Sequence, residues 1–168
     1  ASDVYKRQII YNYGGDNMDK RLDAIEIVVD VFNEAMAIQD LYLRKSKFKE
    51  LSMSETHVID AVNKLEIPSM TNVANKLNIT TGTLTTAVKR IIEKGFLVKK
   101  RSKTDQRVYY LKLTKKGFEA LKIHDQFHKE LADLYQSAIP EEHVEWLLQT
   151  LGQIKINLDN YRQELEDK

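Results

Sequence analysis

Apolar residues recur at alternating steps of three and four near both ends of the chain. Leu22, Ile25, Val29, Phe32, Met36 and Leu43 form one row, with Gln39 in its polar gap. That period predicts an amphipathic helix of about six turns. Val144, Leu147, Leu151, Ile154, Leu158, Tyr161 and Leu165 form the second row. Pro140, Glu141 and Glu142 precede it, a favourable helix start because proline suits the first position and acids suit the positive end of the dipole. The two long seams suggest paired helices at a dimer interface, although covering an internal core is the ordinary alternative. Between them the pattern is shorter and punctuated. Ser54 is placed to cap a helix through Leu65, with Val58, Ile59, Val62 and Leu65 inward. Ser69 is placed to cap a short helix to Leu77, and Asn78 to take the left-handed turn. Thr80 then caps a helix to Lys94, ended by Gly95. Phe96–Lys100 and Val108–Leu113 alternate as two strands of a hairpin around Ser102–Gln106. Thr114 caps a further helix through about Tyr135.

This order predicts a mainly α fold with a small β-hairpin wing: a winged helix-turn-helix lobe over 54–114, with 18–53 and 115–168 forming a helical dimerisation region. Residues 1–17 lack any sustained period and read as an N-terminal arm or a remnant. Val73, Leu77, Ile79, Leu84, Val88 and Ile91 would make the lobe's core, and Ala74 is small where its two helices cross.

Charge then changes the picture. The 168 residues carry 26 Lys+Arg against 25 Asp+Glu, yet Lys76 to Lys116 holds twelve basic residues and two acids, a local excess of ten. Such asymmetry suits a polyanion, although a solvated charged face is the common alternative. The chain has no cysteine, which excludes a disulfide framework, a thiol nucleophile and any Cys-ligated metal. No apolar run approaches the roughly 18 residues of a membrane span, and no signal peptide is evident, so a cytoplasmic location is expected. Enzyme signatures are absent: no G-x-S-x-G, no glycine-rich phosphate loop and no HExxH.

The helix after Asn78 holds Thr80, Thr81, Thr83, Thr85 and Thr86 within seven residues. Threonine is a mediocre helix former, and such a conflict tends to mark function. Thr81, Thr83, Thr85, Thr86, Lys89 and Arg90 are the candidates to meet the major groove through methyls, hydroxyls and charge. Gly82 is expected to let backbones approach closely. On the hairpin, Lys99, Lys100, Arg101 and Lys103 would neutralise phosphates, and Arg107 would enter the minor groove. Asp105 is expected to act within the chain, fixing the hairpin tip or holding Arg101 or Arg107.

"SMTNVANKLNITTGTLTTAVKRIIEKGFLVKKRSKTDQRVYYLKLTKKG" resembles the DNA-binding lobe of the MarR family of bacterial transcription regulators, including an Asp-x-Arg wing signature at Asp105–Arg107. With the helix order around it, the resemblance covers about residues 19–166. "LRKSKFKELSMSETHVIDAV" and "IHDQFHKEL" resemble the family's FabT-type subgroup, repressors of fatty-acid-synthesis genes. The resemblance implies a homodimer on a double-stranded, pseudo-palindromic operator, no cofactor, and long-chain acyl-acyl carrier protein as co-repressor. The acyl chain would then be walled by Phe32, Met36, Phe48, His57, Val58, Val62 and Phe127, for which ordinary core is the alternative. Arg44, Lys45, Lys47 and Lys49 would form a docking patch for the acidic carrier.

Two other readings stand beside this one. His124 and His128 lie one turn apart, and His57 could join them with Glu34 or Asp60 in a metal-responsive site, since some MarR regulators sense zinc. The alternative is a hydrogen-bonded histidine network. A purely structural interaction module would account for the seams but not for the basic lobe.

Overall fold

A computed structural model describes residues 17–101 and 109–167. Two compact units divide at Met53–Ser54. The first is built on one long helix, α1 (Asn17–Lys45). It is longer than the about six turns expected, because the chain is already helical at Asn17, a position read as part of the arm. The outer residues Leu22, Ile25, Val29 and Phe32 are exposed, whereas Gln39 and Leu43 are buried. A turn follows, in which the Ser46 hydroxyl donates to the Leu43 carbonyl at 2.7 Å and accepts from the Phe48 N–H at 3.0 Å. Phe48 and Leu51 are buried there.

The second unit holds α2 (Met53–Lys64), α3 (Met70–Leu77), α4 (Thr81–Glu93), β1 (Leu97–Arg101), β2 (Tyr109–Leu113), α5 (Lys115–Ala138), a short 3-10 turn (Glu141–His143) and α6 (Val144–Glu166). Local chemistry explains most boundaries. Ser69, Thr80 and Thr114 each accept a hydrogen bond from the backbone N–H three residues on, satisfying a donor that the first helical turn leaves orphaned. Asn78 adopts φ 53°, ψ 44°. The Ile79 N–H reaches the Ala74 carbonyl and the Asn78 N–H that of Asn75, the double closure of a Schellman end. Gly95, at φ 83°, ends α4 in the same way, with Phe96 N–H on Ile91 and Gly95 N–H on Ile92.

Several expected boundaries move. α2 begins at Met53, so Ser54 lies inside its first turn instead of capping it. β1 starts one residue late, because Phe96 is taken into the end of α4. α5 runs on to Ala138, and Pro140 precedes a 3-10 turn in place of opening an α-helix.

The hairpin is antiparallel, in register Leu97↔Leu113 and Lys99↔Leu111. Its second strand docks on the segment before α3, where the Leu111 N–H donates to the Pro68 carbonyl at 2.9 Å. Val58, Ile59, Val62, Val73, Ala74, Leu84, Val88, Ile91, Phe96, Leu97 and Leu111 are buried as the lobe's core. Each large one contributes roughly 1.5–3 kcal/mol by leaving water. The Thr114 hydroxyl donates to the Gly95 carbonyl at 2.7 Å and accepts from Gly117 N–H at 3.0 Å. A Cβ at Gly117 would collide with the Phe96 carbonyl oxygen, so only glycine lets α5 start so close to the end of α4. None of the described helices is long and apolar enough to cross a membrane.

Candidate nucleic-acid interface

The helix-turn-helix of α3 and α4 presents two faces of opposite character. Leu84, Val88 and Ile91 point inward at 0% exposure. Thr81, Thr83, Thr85, Thr86, Lys89 and Arg90 are all exposed on the other side. One helix therefore anchors itself with one stripe and offers hydroxyls, methyls and cations with the other.

The threonine hydroxyls are not all available. Thr85 Oγ1 donates to the Thr81 carbonyl at 2.7 Å, and Thr86 Oγ1 to that of Gly82 at 3.4 Å. Thr83 Oγ1 lies 2.9 Å from the capping Thr80 Oγ1. A hydroxyl that donates to its own helix has committed its proton and can meet a base edge only as an acceptor, while the methyl is left to make apolar contact. Gly82 also departs from expectation. A Cβ there would meet only Thr80 Oγ1 at 3.8 Å, so no close approach within the chain requires the glycine.

On the wing, Lys99, Lys100 and Arg101 are exposed on β1. The Arg101 guanidinium sits 5.8 Å from the centre of the Tyr109 ring, which keeps the cation forward without desolvating it. Lys103, Asp105 and Arg107 lie outside the described residues, as does any pairing of Asp105 with an arginine.

Two basic residues of the cationic stretch, Lys94 at the end of α4 and Lys116 on α5, are engaged within the chain. Lys94 Nζ lies 2.8 and 2.6 Å from the two carboxylate oxygens of buried Glu55. Lys116 Nζ donates to the Lys94 carbonyl at 3.0 Å and stands 4.2 Å from the Phe96 ring centre. Counting charges along the sequence could not separate these two from the outward set, because Glu55 is 39 residues from Lys94.

Of the residues expected to wall an acyl chain, Phe32 is exposed, Met36 half-buried and Phe48 buried in the first unit. Val58, Val62 and Phe127 are buried core in the second, and His57 is half-buried. Arg44, Lys45, Lys47 and Lys49 are exposed. Arg44 pairs with Asp40, and Lys47 lies 5.0 Å from the Phe48 ring centre.

The three histidines do come together. Ring centres are 5.9 Å apart for His57–His124 and 4.4 Å for His124–His128, with Nε2 of the latter pair at 3.1 Å. Burial is the main cause lowering the pKa of both His57 and His124, opposed by the nearby Asp60 carboxylate and reinforced by His128. His124 Nδ1 is buried without a hydrogen-bond partner, and Asp125 Oδ1 is 3.8 Å away. Donor atoms of Asp60, His124 and Asp125 lie within 4.8 Å of one another.

Comparison with known proteins follows the same lines. The profile of the family described as transcriptional regulator SarA/Rot matches residues 41–123. The HTH-type transcriptional regulator PchR of Bacillus subtilis (strain 168) is 28% identical over 112 residues, which is 64% of this chain; the chain spans 66% of PchR's own length. FabT of Streptococcus pneumoniae, solved in complex with DNA, is 31% identical with a TM-score of 0.78, covering 84% of this chain and 98% of that one. A MarR protein from Peptoclostridium difficile shares the fold at 19% identity and a TM-score of 0.67, over 83% of this chain and 91% of that one.

Proposed function

This chain belongs to the MarR family of winged helix-turn-helix transcription regulators, and on that premise we propose that it is a homodimeric repressor of fatty-acid-synthesis genes. Its relatives are regulators, not enzymes, and so is this protein. The observation that carries the reading is the exposed Thr81–Arg90 face of α4 beside the exposed Lys99–Arg101 strand, in a chain similar to a FabT that was solved on DNA. Two copies would set two such faces on successive turns of a pseudo-palindromic duplex. Long-chain acyl-acyl carrier protein is the proposed co-repressor. Its acidic carrier would meet the exposed cations Arg44, Lys45, Lys47 and Lys49. An effector changes DNA affinity only through a difference in its affinity for the two lobe spacings. A tenfold tightening corresponds to about 1.4 kcal/mol of such coupling.

The test is binding of the purified protein to a duplex it selects from a random pool, with and without long-chain acyl carrier protein. Tightening by about tenfold or more is expected. Unchanged affinity would remove the acyl co-repressor and leave a DNA-binding regulator with another effector.

The histidine cluster favours a second reading, a metal-responsive regulator. Asp60, His124 and Asp125 offer nitrogen and oxygen donors close enough to share an ion such as zinc, His57 and His128 stand beside His124, and the orphaned Nδ1 of His124 fits a ligand role. A bound divalent ion would stabilise whichever conformation brings these donors closest. Loss of binding to the selected duplex on chelation, restored by zinc, would select this reading over the acyl one.

A further inference from the structure

The recognition helix is held at both ends, and the hold at its far end is an ion pair that general DNA attraction does not need. At the near end, Thr80 caps α4 two residues after the left-handed Asn78. At the far end, Lys94 is the closing residue of α4, and its ammonium is bidentate on Glu55 in the first turn of α2. Glu55 is 5% exposed. A carboxylate so far out of water needs a counter-charge: the positive end of α2, in whose first turn Glu55 lies, supplies part of it, and the Lys94 ammonium supplies the rest while tying the end of α4 to α2.

Geometry gives this pair leverage. Thr81 to Thr86 lie eight to thirteen residues from Lys94, about 12–20 Å at 1.5 Å per residue. A tilt of about 5° about the far end would move those side chains by about 1–2 Å. Methyl and acceptor contacts to base edges need close approach and are lost over such a distance. Attraction to phosphates falls off slowly with distance and survives it.

We propose that Glu55 and Lys94 are positioning residues for DNA recognition: their ion pair fixes the tilt of α4 and so sets how well the protein distinguishes its operator from other duplexes. This rests on the regulator reading above.

The experiment uses the full chain and two duplexes, one that the wild-type protein selects from a random pool and one of scrambled sequence and equal composition. Dissociation constants for both are measured across a salt series for the wild type, Lys94→Met, Lys94→Arg and Glu55→Gln, with melting curves to establish folding. Lys94→Met and Glu55→Gln should each lower the ratio of the two affinities by about tenfold or more, with scrambled-duplex affinity and salt slope as in the wild type. Lys94→Arg should keep the ratio within about threefold, since it retains the charge and its guanidinium can meet both carboxylate oxygens. A ratio unchanged in a folded charge-removing variant overturns the proposal. So does a parallel loss of both affinities with a salt slope smaller by about one, which would make Lys94 a phosphate contact. Should Lys94→Met fail to fold, Glu55→Gln decides, because it keeps the side chain's size and one acceptor; if that variant fails too, the pair is purely structural and the proposal is wrong. A pool that yields no preferred duplex overturns the regulator reading, and this one with it.

Discussion

His124 sits almost wholly out of water on α5, between His57 and His128. Withdrawal from solvent disfavours its charged form, and the same cause acts on His57. Both therefore have folded-state pKa values below their ordinary 6.5. The unfolded chain then takes up protons first as the pH falls. Their contribution to stability is complete above about pH 6.5 and is lost as the pH drops through the folded-state values. Urea unfolding followed from about pH 7.5 to about pH 5 should give a midpoint that is level at first and then declines. His124→Asn should flatten that acid-side decline; an unchanged profile would mean that other groups cause it.

Within the recognition element, the back-bonded hydroxyl of Thr85 makes a distinction that ordinary alanine substitution would miss. Thr85→Val retains the methyl and replaces with a second methyl the hydroxyl that donates to the Thr81 carbonyl. Thr85→Ser keeps the hydroxyl and loses the methyl. Affinity for the selected duplex should stay within about threefold for the valine variant. It should fall about fourfold for the serine one, the value of roughly one buried methylene-sized contact, at about 0.8 kcal/mol. Neither should change the salt slope, since neither touches a charge. Loss in the valine variant alone would restore the hydroxyl as the reading group. The same helix shows what could be foreseen from sequence and what could not. Its cap at Thr80, its left-handed entry at Asn78, its glycine stop at Gly95 and its inward Leu84 and Val88 follow from rules acting over a few residues, and all were legible. So were Ser69 and Thr114. The start of α2 was not, because Ser54 has the right chemistry one or two positions too far along. Nor was the engagement of Lys94 and Lys116 within the chain, because their partners come from other elements and lysine looks alike in either place. The gathering of His57 with His124 and His128 was only partly legible: the spacing on α5 is local, but its meeting with α2 is tertiary.

For the molecule as a whole, the long helices leave apolar rows uncovered. Leu22, Ile25, Val29 and Phe32 on α1, and Leu151, Leu158, Tyr161 and Leu165 on α6, are each about half exposed or more. Exposed apolar rows at helical spacing mark interaction surfaces, and they support assembly with a second copy. Leu158→Lys should shift sedimentation from dimer to monomer and weaken binding to the selected duplex by about a hundredfold, since a lone lobe loses the second site's effective concentration. A monomeric wild type would defeat that expectation at the outset. The uncovered rows also bear on how the protein reaches its working form. If the last apolar surface is closed only by meeting another copy, completion is a collision and not an internal collapse. Its rate then follows the square of the number of newly made chains, so a scarcely expressed gene would accumulate finished regulator slowly.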